Sequence, residues 1–183
     1  MNKKEQLDNV AKEIENCEKC KVGKIGIAVP GEGNPDADIV FLGEAPGKNE
    51  AKTGRPFIGR SGKLLRHLIG ELGLKDEDVF ITSPVKYLPE YVTPTPSDIE
   101  HGRIHLFKQL DIINPKIIVL LGSTAGQAML DEKLPILKRH GEIFKKNNRI
   151  YFLTLHPSAA IRFLKFKTLI LEDFKKLKDI IKT

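Results

Sequence analysis

Lys116-Ile117-Ile118-Val119-Leu120-Leu121-Gly122 is the stretch that decides the fold. It is a continuous apolar run closed by glycine, the pattern of a strand buried on both faces in a parallel sheet. Working outward, Asp38–Leu42 reads as a short buried strand ending at Gly43, and Val79–Thr82 as a second. Ile150–Thr154 reads as another strand, with His156 just beyond its end. Helical patterns fall between and around these strands. Residues 2–16 place Leu7, Val10, Ala11 and Ile14 on one face, and residues 61–72 repeat Leu64, Leu65, Leu68, Ile69 and Leu72 at helical spacing. A helix from Ser97, read as its N-cap, runs to about Ile113, a short one covers Ser123–Leu130, and an amphipathic one closes the chain. The Gly/Pro-rich stretch Lys21–Pro35 and the segment Tyr87–Pro96 read as loops. Strands alternating with helices predict an α/β fold: a central four-stranded parallel sheet with right-handed crossovers, flanked by helices. No repeat or dividing linker interrupts the 183 residues, so a single domain over 1–183 is expected.

A formal net charge of +6 and a pI near 9.2 favour an anionic partner, of which nucleic acid is the commonest. The runs Lys145-Lys146 and Lys175-Lys176 read as solvated faces. The two cysteines, Cys17 and Cys20, imply no disulfide framework. The charged N-terminus lacks the apolar stretch of a signal peptide, and no segment has the apolar length of a membrane span. A cytoplasmic monomer with no membrane association is expected.

In such sheets ligands bind beyond the carboxyl ends of the strands. That rule lines up Gly43–Gly47, Ser83–Lys86, Gly122–Ser123 and His156–Ser158 along one rim. Glu44, held between glycines at a strand end, suits the orientation of a water molecule. Phe57 suits stacking on a flat base. The turn Gly59–Gly62 leads into a helix N-terminus, a natural anion site. His156 suits donation to an oxygen on which charge develops, and Ser158 either contacts a phosphate or caps the next helix. Taken singly, each segment also reads as a plain strand-to-helix loop.

Together the segments are similar to a known family. GEAPGKNEAKTGRPFIGRSGKLL, residues 43–65, resembles the first signature of family-4 uracil-DNA glycosylases, and HPSAAIR, residues 156–162, resembles the second. PGEGNPDADIVFLGEAPG, VFITSPVK, PTPSDIE and INPKIIVLLGSTA follow the family in the same order. The resemblance implies a three-layer uracil-DNA glycosylase fold and a monofunctional enzyme. Such an enzyme hydrolyses the N-glycosidic bond of a flipped deaminated base, uracil first, in base excision repair. Hypoxanthine, xanthine or a broader set of bases is the alternative substrate, and damage binding without catalysis is the alternative function. By the same resemblance Glu44 and His156 are catalytic. Ala45, Gly47, Phe57 and Ser83 contact the base. Gly59, Ser61, Gly62, Ser158, Ile161 and Arg162 contact DNA, with Ile161 as an apolar wedge. Lys86, near the rim, is the residue that would oppose a monofunctional mechanism.

Two departures stand out. The family binds a 4Fe–4S cluster through four cysteines; here Cys17 and Cys20 remain, Tyr87 takes the third place and Gly102 the fourth. Two thiolates cannot complete such a cluster. A zinc site formed with His101 and His105 is one alternative. The preferred reading is that no metal binds and that packing around Tyr87 replaces the cluster, with no cofactor required for the chemistry. The second departure is Ser83, where the family has an asparagine that reads the uracil edge. A hydroxyl on a shorter arm is expected to weaken or change base discrimination.

Overall fold

The structure is a computed structural model and describes residues 1–183 except Val92, Lys133 and Thr183. The elements are α1 (Lys3–Asn16), α2 (Glu18–Lys21), β1 (Lys24–Ile25), β2 (Glu32–Gly33), β3 (Ile39–Leu42), α3 (Glu50–Thr53), α4 (Arg60–Glu71) and β4 (Val79–Thr82). They continue with β5 (Leu88–Pro89), α5 (Pro96–Ile113), β6 (Ile117–Leu121), α6 (Ser123–Leu130), α7 (Ile136–Arg139), β7 (Ile143–Lys146), β8 (Arg149–Thr154), α8 (Pro157–Arg162) and α9 (Leu164–Ile181).

The main sheet has the order β2-β4-β3-β6-β8-β7. Its four inner strands are parallel, as the apolar runs require, and β6 pairs Ile117–Leu120 with β3 and Ile117–Leu121 with β8. Two antiparallel edge strands extend the four that were expected. β7 joins β8 through Asn147 and Asn148, both in the left-handed region, which is the geometry of a two-residue hairpin. Lys145 and Lys146 are exposed on this edge, where charge discourages further strand pairing. β2 emerges from the Gly/Pro-rich stretch, and β5 from the segment read as a loop pairs with β1.

Alternate residues of each inner strand face opposite layers. Phe41, Val79, Ile81, Val119, Leu121 and Phe152 pack against α4 and α9 through Leu65, Leu68, Ile170 and Phe174. Val40, Leu42, Phe80, Ile118, Leu120 and Leu153 pack against α1, α5 and α6 through Leu7, Leu106, Leu110 and Met129. Truncating a central side chain such as Phe152 to alanine is expected to cost about 3–5 kcal/mol. α5 starts one residue before the expected boundary. Its N-cap is Thr95, not Ser97: Thr95 and Asp98 form a reciprocal capping box, with Pro96 in the first turn. Among the described residues no helix is long and apolar enough to cross a membrane.

Candidate active site

The parallel register brings the ends of β4, β3, β6 and β8 to one edge. A cavity of about 290 Å³ opens there, and Glu44, Phe57, Ser83 and His156 all line it, together with Ala45, Gly47, Ser61, Ser158 and Arg162.

Phe57 adopts φ 51°, an unusual left-handed conformation for a bulky residue. Such backbone costs about 1–3 kcal/mol and persists only where its surroundings enforce it. Two glycines and one carboxylate do so. A Cβ on Gly62 would lie 1.7 Å from the Phe57 carbonyl oxygen, and a Cβ on Gly43 would lie 2.7 Å from the Phe57 ring. Gly43 and Gly62 therefore make room for Phe57 itself. Glu50, 8 % exposed, accepts the Ile58 and Gly59 N–H groups on Oε1 at 2.9 Å each. The ring is left half-buried, 5.8 Å from the His156 ring between centroids.

His156 caps α8. Its Nδ1 accepts the Ser158 N–H at 3.1 Å and lies 2.7 Å from Ser158 Oγ. A backbone N–H can only donate, so Nδ1 carries no proton and the neutral ring bears its proton on Nε2. Burial holds the His156 pKa below the ordinary 6.5, partly opposed by the Glu44 charge. Ser158 thus serves as the orienter of His156 as well as a residue of the cavity wall.

Glu44 accepts a 2.6 Å hydrogen bond from Thr124 Oγ1 on Oε2. Its Oε1 has no hydrogen-bond partner among the described residues. Ser83 is buried, and its hydroxyl donates to the Val85 carbonyl at 2.8 Å. The hydroxyl proton is therefore committed, and Ser83 presents only acceptor lone pairs. Of the other expected residues, Ser61 and Gly62 lie in the first turn of α4, where no side chain caps the helix, and Gly59 is its N-cap. Ile161 is exposed in an adjoining groove with Leu64, Leu164 and Lys167.

Lys86 stands elsewhere than the sequence suggested. It is 1 % exposed, and its Nζ donates to Thr82 Oγ1 and Gln109 Oε1 at 2.7 Å and to the Pro30 carbonyl at 3.1 Å. Burial pushes its pKa down to about 7. It borders a separate cavity near Cys20 and His101, away from Glu44 and His156.

The residues at the cysteine-bearing corner do not fit a four-cysteine cluster. Tyr87 is buried, and its hydroxyl donates to the Ile14 carbonyl at 3.3 Å, within an apolar group that includes Val10, Ile14 and Cys20. A Cβ on Gly102 would lie 2.1 Å from the Pro84 carbonyl oxygen, so α5 crosses there too closely for a cysteine.

Glu50 and Thr124 were not singled out from the sequence. An acidic residue shortly before a Pro-Phe turn was visible as Glu50; Thr124 reaches Glu44 across 80 positions and carried no local signal.

Comparison with known proteins agrees with this architecture. The family model of the Uracil DNA glycosylase superfamily matches residues 30–178. The Type-4 uracil-DNA glycosylase of Sulfurisphaera tokodaii is 40 % identical over 191 residues, covering 96 % of this chain and 85 % of that protein. The Type-4 uracil-DNA glycosylase of Saccharolobus solfataricus is 41 % identical over 192 residues, covering 97 % and 87 %. That of Thermotoga maritima is 39 % identical over 187 residues, covering 98 % and 97 %. With a family match over most of its length and relatives of this similarity, the chain belongs to the uracil-DNA glycosylase superfamily.

Proposed function

We propose that this chain is a monofunctional DNA glycosylase that hydrolyses the N-glycosidic bond of a flipped uracil in base excision repair. The observation that carries the reading is the meeting of Glu44, Phe57 and a neutral, Nε2-protonated His156 on one cavity at the sheet edge. Superfamily membership supports it.

The steps follow from the residues. Arg60, Lys63, Arg162 and Lys167 are exposed near α4 and α8 and enter no ion pair among the described residues, which leaves them for phosphates. The uncapped first turn of α4, at Ser61 and Gly62, offers backbone N–H groups to the same partner, while the N–H of the N-cap Gly59 is held by Glu50. Ile161, with exposed Phe163 and Leu164 beside it, occupies the gap in the stack. Extrusion of the base costs a few kcal/mol, least at a mispair. Phe57 stacks on the base, with Ala45 and Gly47 forming the adjacent wall. The C1′–N1 bond breaks with its electron pair passing to the base, and His156 Nε2–H donates to the base oxygen on which charge grows. Glu44 Oε1 holds a water, whose oxygen adds to C1′ while its proton passes to the carboxylate. Lys86 commits its amine to Pro30, Thr82 and Gln109 and borders another cavity, so it does not serve a Schiff base here.

Ser83 favours a second reading of specificity. An acceptor-only hydroxyl matches the ring N–H next to a carbonyl, which uracil, hypoxanthine and xanthine share and cytosine lacks. Recognition through Ser83 then admits uracil, hypoxanthine and xanthine and rejects cytosine; thymine and guanine carry the same N–H, so their exclusion falls to the shape of the cavity. The test is abasic-site formation on oligonucleotides carrying uracil, hypoxanthine, xanthine or cytosine, single-stranded and in several pairings. The expected result is release of uracil, weaker release of hypoxanthine and none of cytosine. Binding to U·G duplex without release of any base would replace the enzyme by a damage-binding protein.

A further inference from the structure

Cys17 and Cys20 sit at the junction of α1 and α2; His101 and His105 are one turn apart on α5. The spacing is Cys-x-x-Cys followed by His-x-x-x-His, and an i, i+4 pair of histidines faces one side of a helix. The four candidate donor atoms all lie within 4.8 Å of one another. Cys17 Sγ stands 3.2 Å from His101 Nε2. His105 is 6 % exposed, and neither of its ring nitrogens has a hydrogen-bond partner among the described residues; His101 Nδ1 is likewise buried and unpartnered among them. Orphaned buried nitrogens are destabilising unless something else satisfies them. Here one nitrogen of each histidine lies in a group with the two thiols, His101 through Nε2.

We propose that Cys17, Cys20, His101 and His105 together bind one zinc ion, in place of the cluster that this chain cannot complete. Bonds of 2.0–2.3 Å to a tetrahedral ion set its ligands about 3.3–3.8 Å apart, within small side-chain adjustments of the observed group. A 4Fe–4S cube places each ligand on a different iron, holds them farther apart and needs four of them as thiolates. Mixed imidazole and thiolate donors suit zinc. On binding, both thiols lose their protons to solvent and each thiolate donates an electron pair. Two thiolates balance the double charge of the ion, so the corner carries no net charge. Four protein ligands leave no open position. The corner shares no lining residue with the Glu44 cavity, and the ion ties α1 and α2 to α5 without entering the reaction.

The test uses the full chain purified under reducing conditions from zinc-supplemented medium. Elemental analysis is expected to find about one zinc per chain and no matching iron or acid-labile sulfide. Cobalt(II) added to the chelator-stripped wild type is expected to give the intense visible bands of a tetrahedral site with thiolate charge transfer, erased by zinc. Cys17→Ser and His105→Asn each abolish that spectrum; the wild-type titration stands even where a variant does not fold. Removing zinc lowers Tm by about 10 °C. Iron with sulfide, a six-coordinate cobalt spectrum, or protein that retains no zinc would each overturn the proposal. Base release is a separate assay, so failure here leaves the glycosylase reading standing.

Discussion

The Glu44 cavity and the Cys17–His105 corner are both built from polar groups taken out of water, but they satisfy those groups differently. In the cavity each functional side chain is held from behind: Glu44 by Thr124, His156 by Ser158, and the Phe57 loop by Glu50. What stays unpaired among the described residues, Glu44 Oε1 and His156 Nε2, belongs to side chains that line the cavity. At the corner, His105 has no partner on either nitrogen among the described residues. A site for a transient ligand has to be stable while empty, so its supports are protein groups. A site for a resident ion is completed by the ion itself.

The comparison can be broken by removing one support at a time. The largest effect is expected at His156. His156→Ala should lower the single-turnover rate of uracil release by about 10²–10³, as the loss of one preorganised donor does elsewhere. The lost cap on α8 should cost only about 1 kcal/mol of stability. His156→Asn can restore the cap and, if Nε2–H is the working donor, should leave most of the rate defect in place.

Glu50→Ala comes next. Two loop amides lose a buried charged acceptor, so denaturant unfolding should show a loss of about 2–3 kcal/mol. Activity should fall about tenfold as the Phe57 ring loses its fixed orientation, mostly in kcat/KM. Glu50→Gln retains an acceptor and should recover much of both. Thr124→Val should have a smaller effect, severalfold in rate, because Glu44 keeps its place and loses one orienting hydrogen bond.

The smallest effect concerns pH. Because burial depresses the His156 pKa, the folded enzyme keeps this ring neutral as pH falls through 6.5. The unfolded chain takes up that proton first, so His156 stabilises the fold above the ordinary histidine range and less below it. The rate of uracil release should show no histidine-like drop centred on 6.5, while stability declines gently on the acid side. A rate profile that halves there would mean a ring protonated as in free solution.

Much of this architecture could be read before any coordinates, for physical reasons. A strand buried on both faces must be apolar throughout, so Ile117–Leu121 declared both itself and the parallel sheet. Glu44, Phe57 and His156 lie in long contiguous motifs at strand ends, where topology alone brings them together. The edge strand β7 was missed because an exposed strand has no apolar pattern to show. Glu50 and Thr124 were missed because supporting contacts are long-range or belong to loops. The corner was read only as a possibility: Cys17 and His101 are separated by 84 positions, and their meeting depends on how α1 packs on α5.

The central claim is that one cavity holds the base against Phe57 and the Nε2–H of His156, with Glu44 beside the sugar. A crystal structure of the protein with product DNA and free uracil tests it most directly. The expected result is uracil stacked on Phe57, with a carbonyl oxygen within hydrogen-bond distance of His156 Nε2 and the abasic sugar next to Glu44. Uracil bound elsewhere, or a cavity left empty beside bound DNA, would contradict it.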